Sequence, residues 1–124
     1  MPISFRYDPD RDLILSTFSG FVSQQDLLGF IDSVHTNEHF RTTANELIVT
    51  ENTTGTDMDA DLLLLISQRS QELSVTTPDK KIALVPTTEL DFGFARMYKT
   101  MAEKTLWQIE IFRDRDEALV WLRG

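Results

Sequence analysis

Four consecutive aliphatic residues, Ile82-Ala83-Leu84-Val85, constrain this chain more than any other feature. A strand with one wet face alternates apolar and polar side chains, so an unbroken apolar run of this length predicts a strand covered on both faces. Such strands occur in sheets sandwiched between helices. Pro78-Asp79 breaks the chain just before the run, and Pro86 follows it. These punctuators bound it as a short inner strand.

The rest of the chain alternates around it. Ile3–Tyr7 and Leu13–Phe18 are β-rich runs split by Asp8-Pro9-Asp10-Arg11-Asp12, which predicts a β-hairpin. Ser23 with Asp26 forms a capping pair, and Leu27, Ile31 and Val34 recur at helical spacing towards Asn37. Glu46–Glu51 predicts a strand, Asn52–Thr56 a loop, and Asp57–Leu73 a helix with an acidic first turn. Thr88 with Asp91 predicts a helix start, with Leu90, Phe94, Met97 and Met101 as its inward stripe. Gln108–Phe112 predicts a last strand, and Asp114 opens a closing helix with Ala118, Trp121 and Leu122 on one face. The order is ββαβαβαβα: an α/β domain over residues 1–124, largely parallel, with the first strand as an antiparallel edge.

Several function classes are disfavoured. A net charge of −8 with no cluster of Lys and Arg repels phosphate backbones, so nucleic acid is not an expected partner. The longest apolar run, Leu62–Ile66, is far short of the roughly 20 residues that span a bilayer. The N-terminus lacks the basic start and apolar stretch of a secretory signal, and cysteine is absent, which together point to a cytoplasmic protein without disulfides. No nucleophile elbow, phosphate-cradling glycine loop or dinucleotide fingerprint is present, so neither a cofactor nor an enzymatic activity is expected.

Three segments together, Lys81–Pro86, Phe92-Gly93-Phe94-Ala95-Arg96-Met97-Tyr98, and Ile111–Asp114 with Glu117–Leu122, resemble the SpoIIAA-like, or STAS-like, family of small bacterial proteins. The resemblance covers essentially the whole chain and rests mostly on packing residues, so it speaks to fold before activity. It implies a βα superhelix of about four parallel strands plus an antiparallel edge strand, acting as a non-enzymatic protein-binding or regulatory module. In the anti-sigma-factor antagonists of that family, a serine at the start of the helix after the third strand is phosphorylated by a partner kinase. Here the corresponding segment, Glu51–Asp59, has no serine; Thr53, Thr54 and Thr56 are the candidate phosphoacceptors. A helix N-terminus favours a phosphate by about 0.3–1 kcal/mol, but Glu51, Asp57, Asp59 and Asp61 oppose it comparably. Loop and capping roles account for these threonines better.

Metal readings are weak. Asp57-Met58-Asp59-Ala60-Asp61 imitates the start of a calcium loop, yet Leu62 replaces its glycine and Gln68 its closing glutamate. Asp32, His35 and His39 fall at helical spacings, although Asn37 and Phe40 mark a helix end that turns His39 away. No metal is expected.

Surplus apolar surface carries the remaining expectations. Phe92 lies nearly opposite Leu90, Phe94, Met97 and Met101 on a helical wheel, and Leu64 falls off the stripe of Leu62, Ile66 and Leu73. Leu64 and Phe92 are candidate interface residues for a homodimer or another protein. Alternatively, Phe92, Phe94, Met97, Met101 and Trp107 form the walls of a pocket for a small apolar or lipid-like ligand, with Arg96 and Tyr98 placed to orient a head group. Ordinary core packing explains much of the same spacing.

Overall fold

The computed structural model describes residues 2–36 and 43–124. Five strands form one sheet in the order β1 (Ile3–Asp8), β2 (Leu13–Val22), β3 (Asn45–Thr56), β4 (Lys81–Val85), β5 (Gln108–Ile111). Strand β1 pairs antiparallel with β2, and every later pairing is parallel. The helices are α1 (Gln24–Thr36), α2 (Ala60–Thr76), α3 (Glu89–Met101) and α4 (Arg115–Arg123).

The sequential strand order dictates where the helices go. Three successive crossovers that advance across the sheet in one direction, all of one hand, must leave their helices on the same face. Helices α1, α2 and α3 do share one face, packing on Ile14, Phe18, Ile48, Ile82 and Leu84. No strand follows α4, so it is free of that rule and covers the opposite face, where Ala118 and Leu122 meet Leu13, Leu15, Leu47, Val49, Ala83 and Val85. Residues 82 to 85 are buried on both sides because β4 lies between the two helical layers. Two side chains fix α4 by its C-terminal carbonyls, which a helix cannot satisfy internally. Asn45 Nδ2 donates to Leu122 O at 3.3 Å and Lys81 Nζ donates to Trp121 O at 3.1 Å.

Local chemistry sets most helix starts. Ser23 Oγ accepts from Asp26 N at 3.1 Å while Asp26 Oδ2 accepts from Ser23 N at 2.9 Å, a reciprocal box in which the backbone hydrogen bond holds the Asp26 carboxyl below its usual range. Thr88 Oγ1 accepts from Asp91 N at 3.1 Å, and Asp59 Oδ1 from Leu62 N at 2.8 Å.

Three elements differ from the sequence reading. Helix α2 starts at Ala60, and Asn52–Thr56 is not a loop but a continuation of β3 beside β2. Two extra residues on β3, Asn52 and Thr54, are absorbed as bulges in the pairing with Gly20 and Phe21, with positive φ at Asn52 (51°) and Gly20 (64°). Both residue types tolerate that conformation, which alternation patterns cannot register. Helix α3 is turned from its expected orientation. Leu90 (53% exposed) and Met97 (39%) face outward, and Ala95 and Tyr98 make the inward contacts. Inward-facing Tyr98 is possible because its hydroxyl meets Ser70 Oγ on α2 at 2.9 Å, so the wheel's most apolar direction is not the buried one.

Candidate functional site: an apolar cavity under three helices

In doubly wound sheets the ligand crevice lies where the strand order reverses. This sheet never reverses, so space for a ligand arises between layers instead. A cavity of about 170 Å³ lies between the sheet and α1, α2 and α3. Phe18, Ile48, Ile82 and Leu84 form its floor, Leu63, Ile66 and Ser70 of α2 its roof. Leu27, Phe30 and Val34 of α1 make one wall, and Phe94, Ala95 and Tyr98 of α3 the other. Its volume is close to that of engineered aliphatic cavities of about 150 Å³ that stay dry and take up benzene.

Apart from Ser70 and Tyr98, whose hydroxyl oxygens are 2.9 Å apart, the polar groups of the lining stand towards its two ends. At the end formed by the strand C-termini, Thr53 Oγ1 donates to Asp91 Oδ2 at 2.5 Å, tying β3 to the first turn of α3. At the opposite end stand His35, Glu46 and Trp107. Glu46 Oε2 and Lys80 Nζ are 2.6 Å apart, and both side chains are buried. Lys80 Nζ also lies 5.7 Å from the centre of the Trp107 ring. The imidazole of His35 stacks on that ring at 5.4 Å with 14° between planes. Burial holds the His35 imidazole below its ordinary value, with the hydrogen bond that its Nδ1 donates to Ile31 O opposing and Lys80 reinforcing the shift. Burial likewise pushes the Tyr98 phenol up to about 12, so it remains a neutral donor or acceptor at physiological pH.

The residues singled out by sequence are dispersed. Phe94, Tyr98 and Trp107 line the cavity; Phe92, Arg96, Met97 and Met101 are not part of its lining. Phe92 is held between two guanidinium groups, Arg96 at 4.5 Å and Arg113 at 4.4 Å. Leu64 is 49% exposed on the outer side of α2, next to Leu65 at 50%. Thr53 and Thr56 are committed within β3: Thr56 Oγ1 donates to Val22 O at 2.6 Å and accepts from Met58 N at 3.1 Å. Thr54 is exposed. All three precede the α2 N-cap, Asp59, by at least three residues, so none occupies the helix N-terminus. Asp32 is engaged by Arg69, with Nη2 at 3.1 Å, and His39 lies outside the described residues.

Glu46 and Lys80 escaped the sequence reading. Glu46 sits where strand alternation points a side chain at the helices, but nothing local announces a partner 34 residues away. His35 drew notice as a metal ligand rather than as a cavity wall, since only the sheet and Trp107 define the space it borders.

A single mixed sheet with one antiparallel edge, three helices on one face and a terminal helix on the other, defines a SpoIIAA-like fold. The chain is similar over 97% of its length to the crystal structure of an uncharacterized protein of the DUF3478 family from Shewanella loihica PV-4, described as having a SpoIIAA-like fold. The likeness covers 93% of that chain with a TM-score of 0.60 and 16% sequence identity, which establishes shared fold. No family model and no curated protein matches the sequence. Among the described residues, no helix is long and apolar enough to cross a membrane.

Proposed function

We propose that this protein is a non-enzymatic STAS-like module that binds one small apolar molecule between its sheet and helices α1 to α3. The cavity carries the reading: about 170 Å³ bordered mainly by aliphatic and aromatic side chains, in a layer where close packing is the rule. The ion pair and hydrogen bond at its ends support it, because Thr53–Asp91 and Glu46–Lys80 are already paired and leave the space between them to apolar contacts. Toluene is a suitable probe of the full chain. Saturating toluene should raise the melting temperature as RT ln(1 + [L]/Kd) requires, and shift NMR signals of Ile48, Ile66 and Ala95 first. Ala95→Leu, which extends a lining side chain into the space, should fold and lose the response. Absence of any toluene response in the wild-type protein refutes the reading.

A second reading rests on a separate surface. Leu64 and Leu65 of α2, with Leu90 and Met97 of α3, turn apolar side chains outward, which supports pairing with a second copy or another protein. Light scattering at high micromolar concentration tests self-association: a dimer weakened by Leu64→Asp is expected, and a monomer removes the homodimer.

A further inference from the structure

Two carboxylates border the cavity, one towards each end, and only one of them is matched by a cation. Glu46 Oε2 lies 2.6 Å from Lys80 Nζ, and both side chains are buried. Asp91 forms no ion pair among the described residues. Its carboxylate is also turned away from the helix it helps to start. At α1 the capping pair is reciprocal, with Asp26 Oδ2 accepting from Ser23 N. At α3 only half of that pair is made: Thr88 Oγ1 accepts from Asp91 N, but the Asp91 carboxylate faces β3, where Oδ2 accepts from Thr53 Oγ1. Oδ1 is left without a partner among the described residues, yet it is not sealed off. Asp91 is partly exposed, and the buried side-chain atoms that lack a partner are Ser16 Oγ and His35 Nε2. Thr50, Thr53 and Thr56, which border the cavity at the same end, are partly exposed as well, whereas Glu46 and Trp107 at the opposite end are buried. The strand C-termini therefore form a wet mouth to an apolar interior.

Resting on the cavity reading above, we infer that the ligand is a small apolar amine, whose tail fills the cavity and whose ammonium group caps the mouth on Asp91 Oδ1 and Thr53 Oγ1. The Thr53 hydroxyl has committed its one proton to Asp91, so both side chains offer only lone pairs to an incoming group. An ammonium supplies the donors and the opposite charge together. Charge complementarity excludes the commoner alternative of an apolar acid. A ligand carboxylate would face Asp91 at one end and Glu46 at the other, and among the described residues no Lys or Arg borders the cavity. Arg96, on the same helix as Asp91, and Arg113 are stacked on Phe92, outside the lining. A ligand that only accepts, such as an ether, gains nothing at this mouth.

Benzylamine, benzyl alcohol and benzoate share one ring and differ in head-group charge at neutral pH, and each is titrated into the full chain beside toluene. The worth of a partly exposed ion pair predicts that benzylamine binds roughly fivefold more tightly than benzyl alcohol, with benzoate the weakest of the three. Asp91→Asn keeps an oxygen for Thr53 and removes the charge, so it should bring benzylamine down to the level of benzyl alcohol while toluene binding is retained. Should that variant fail to fold, the wild-type protein still decides: the ¹³Cγ resonance of Asp91 should move with benzylamine and stay in place with toluene. Equal affinity for benzylamine and benzyl alcohol, a benzylamine preference that survives Asp91→Asn, or an unmoved Asp91 resonance overturns the amine assignment while leaving the cavity reading intact. Binding of toluene without binding of benzylamine does the same. Failure of all four to bind overturns the cavity reading itself.

Discussion

Replacing Lys80 by methionine should destabilise this protein by about 3–5 kcal/mol, because it strands a buried carboxylate. The Lys80 side chain is 0% exposed and that of Glu46 4%, with 2.6 Å between charged atoms. At an effective dielectric of about 20, two charges that close attract by roughly 6 kcal/mol, an amount comparable with the several kcal/mol needed to desolvate each ion. The intact pair therefore contributes little net stability. Either single removal, Lys80→Met or Glu46→Leu, forfeits the attraction while the remaining group keeps its desolvation cost. The double variant removes both costs and should lie within about 2 kcal/mol of wild type, on either side. Urea unfolding followed by the fluorescence of Trp107 and Trp121 gives all four corners of the cycle. For a chain of this size, about 4 kcal/mol corresponds to a fall of roughly 15 °C in melting temperature. The reasoning fails if each single variant costs under 1 kcal/mol, or if the double variant costs the sum of the two.

Two further outcomes follow from groups near the chain's helix ends. Because burial holds folded His35 below the ordinary imidazole value of 6.5, the unfolded chain takes up a proton that the native state does not. Stability should then be constant above pH 6.5 and fall as pH drops from there towards the folded value, by up to about 1.4 kcal/mol per unit, with Arg69, Lys80 and Glu46 as the charged neighbours. His35→Phe should remove this slope; urea melts of both proteins between pH 5 and pH 7.5 that run parallel would contradict it. Ser23→Ala deletes one arm of the capping box on α1 and should cost about 1 kcal/mol, or roughly 4 °C, whereas an unchanged melting temperature would mean the cap is redundant.

The amino-acid sequence alone determined the elements and their order, because periodicity is a local property. The apolar run 82–85 could be read as an inner strand without knowing its neighbours, and Ser23 with Asp26, or Thr88 with Asp91, announce helix starts within four residues. The SpoIIAA-like architecture then followed from the ββαβαβαβα order and packing residues spread along the chain. What tertiary structure decided is every feature that depends on which side of a helix meets what. The most apolar side of α3 proved not to be its inward one, since Ser70 supplies Tyr98 with a partner and makes a less apolar face the better one to bury. Thr53, Thr54 and Thr56 left the expected loop because pairing with Gly20 and Phe21 extends β3. The candidate site belongs wholly to this second kind. His35, Glu46, Lys80 and Trp107 are scattered over 73 positions of sequence and acquire a shared environment only when the sheet closes under α1. A cavity is a failure of distant surfaces to meet, and no local pattern of residues records where that will happen.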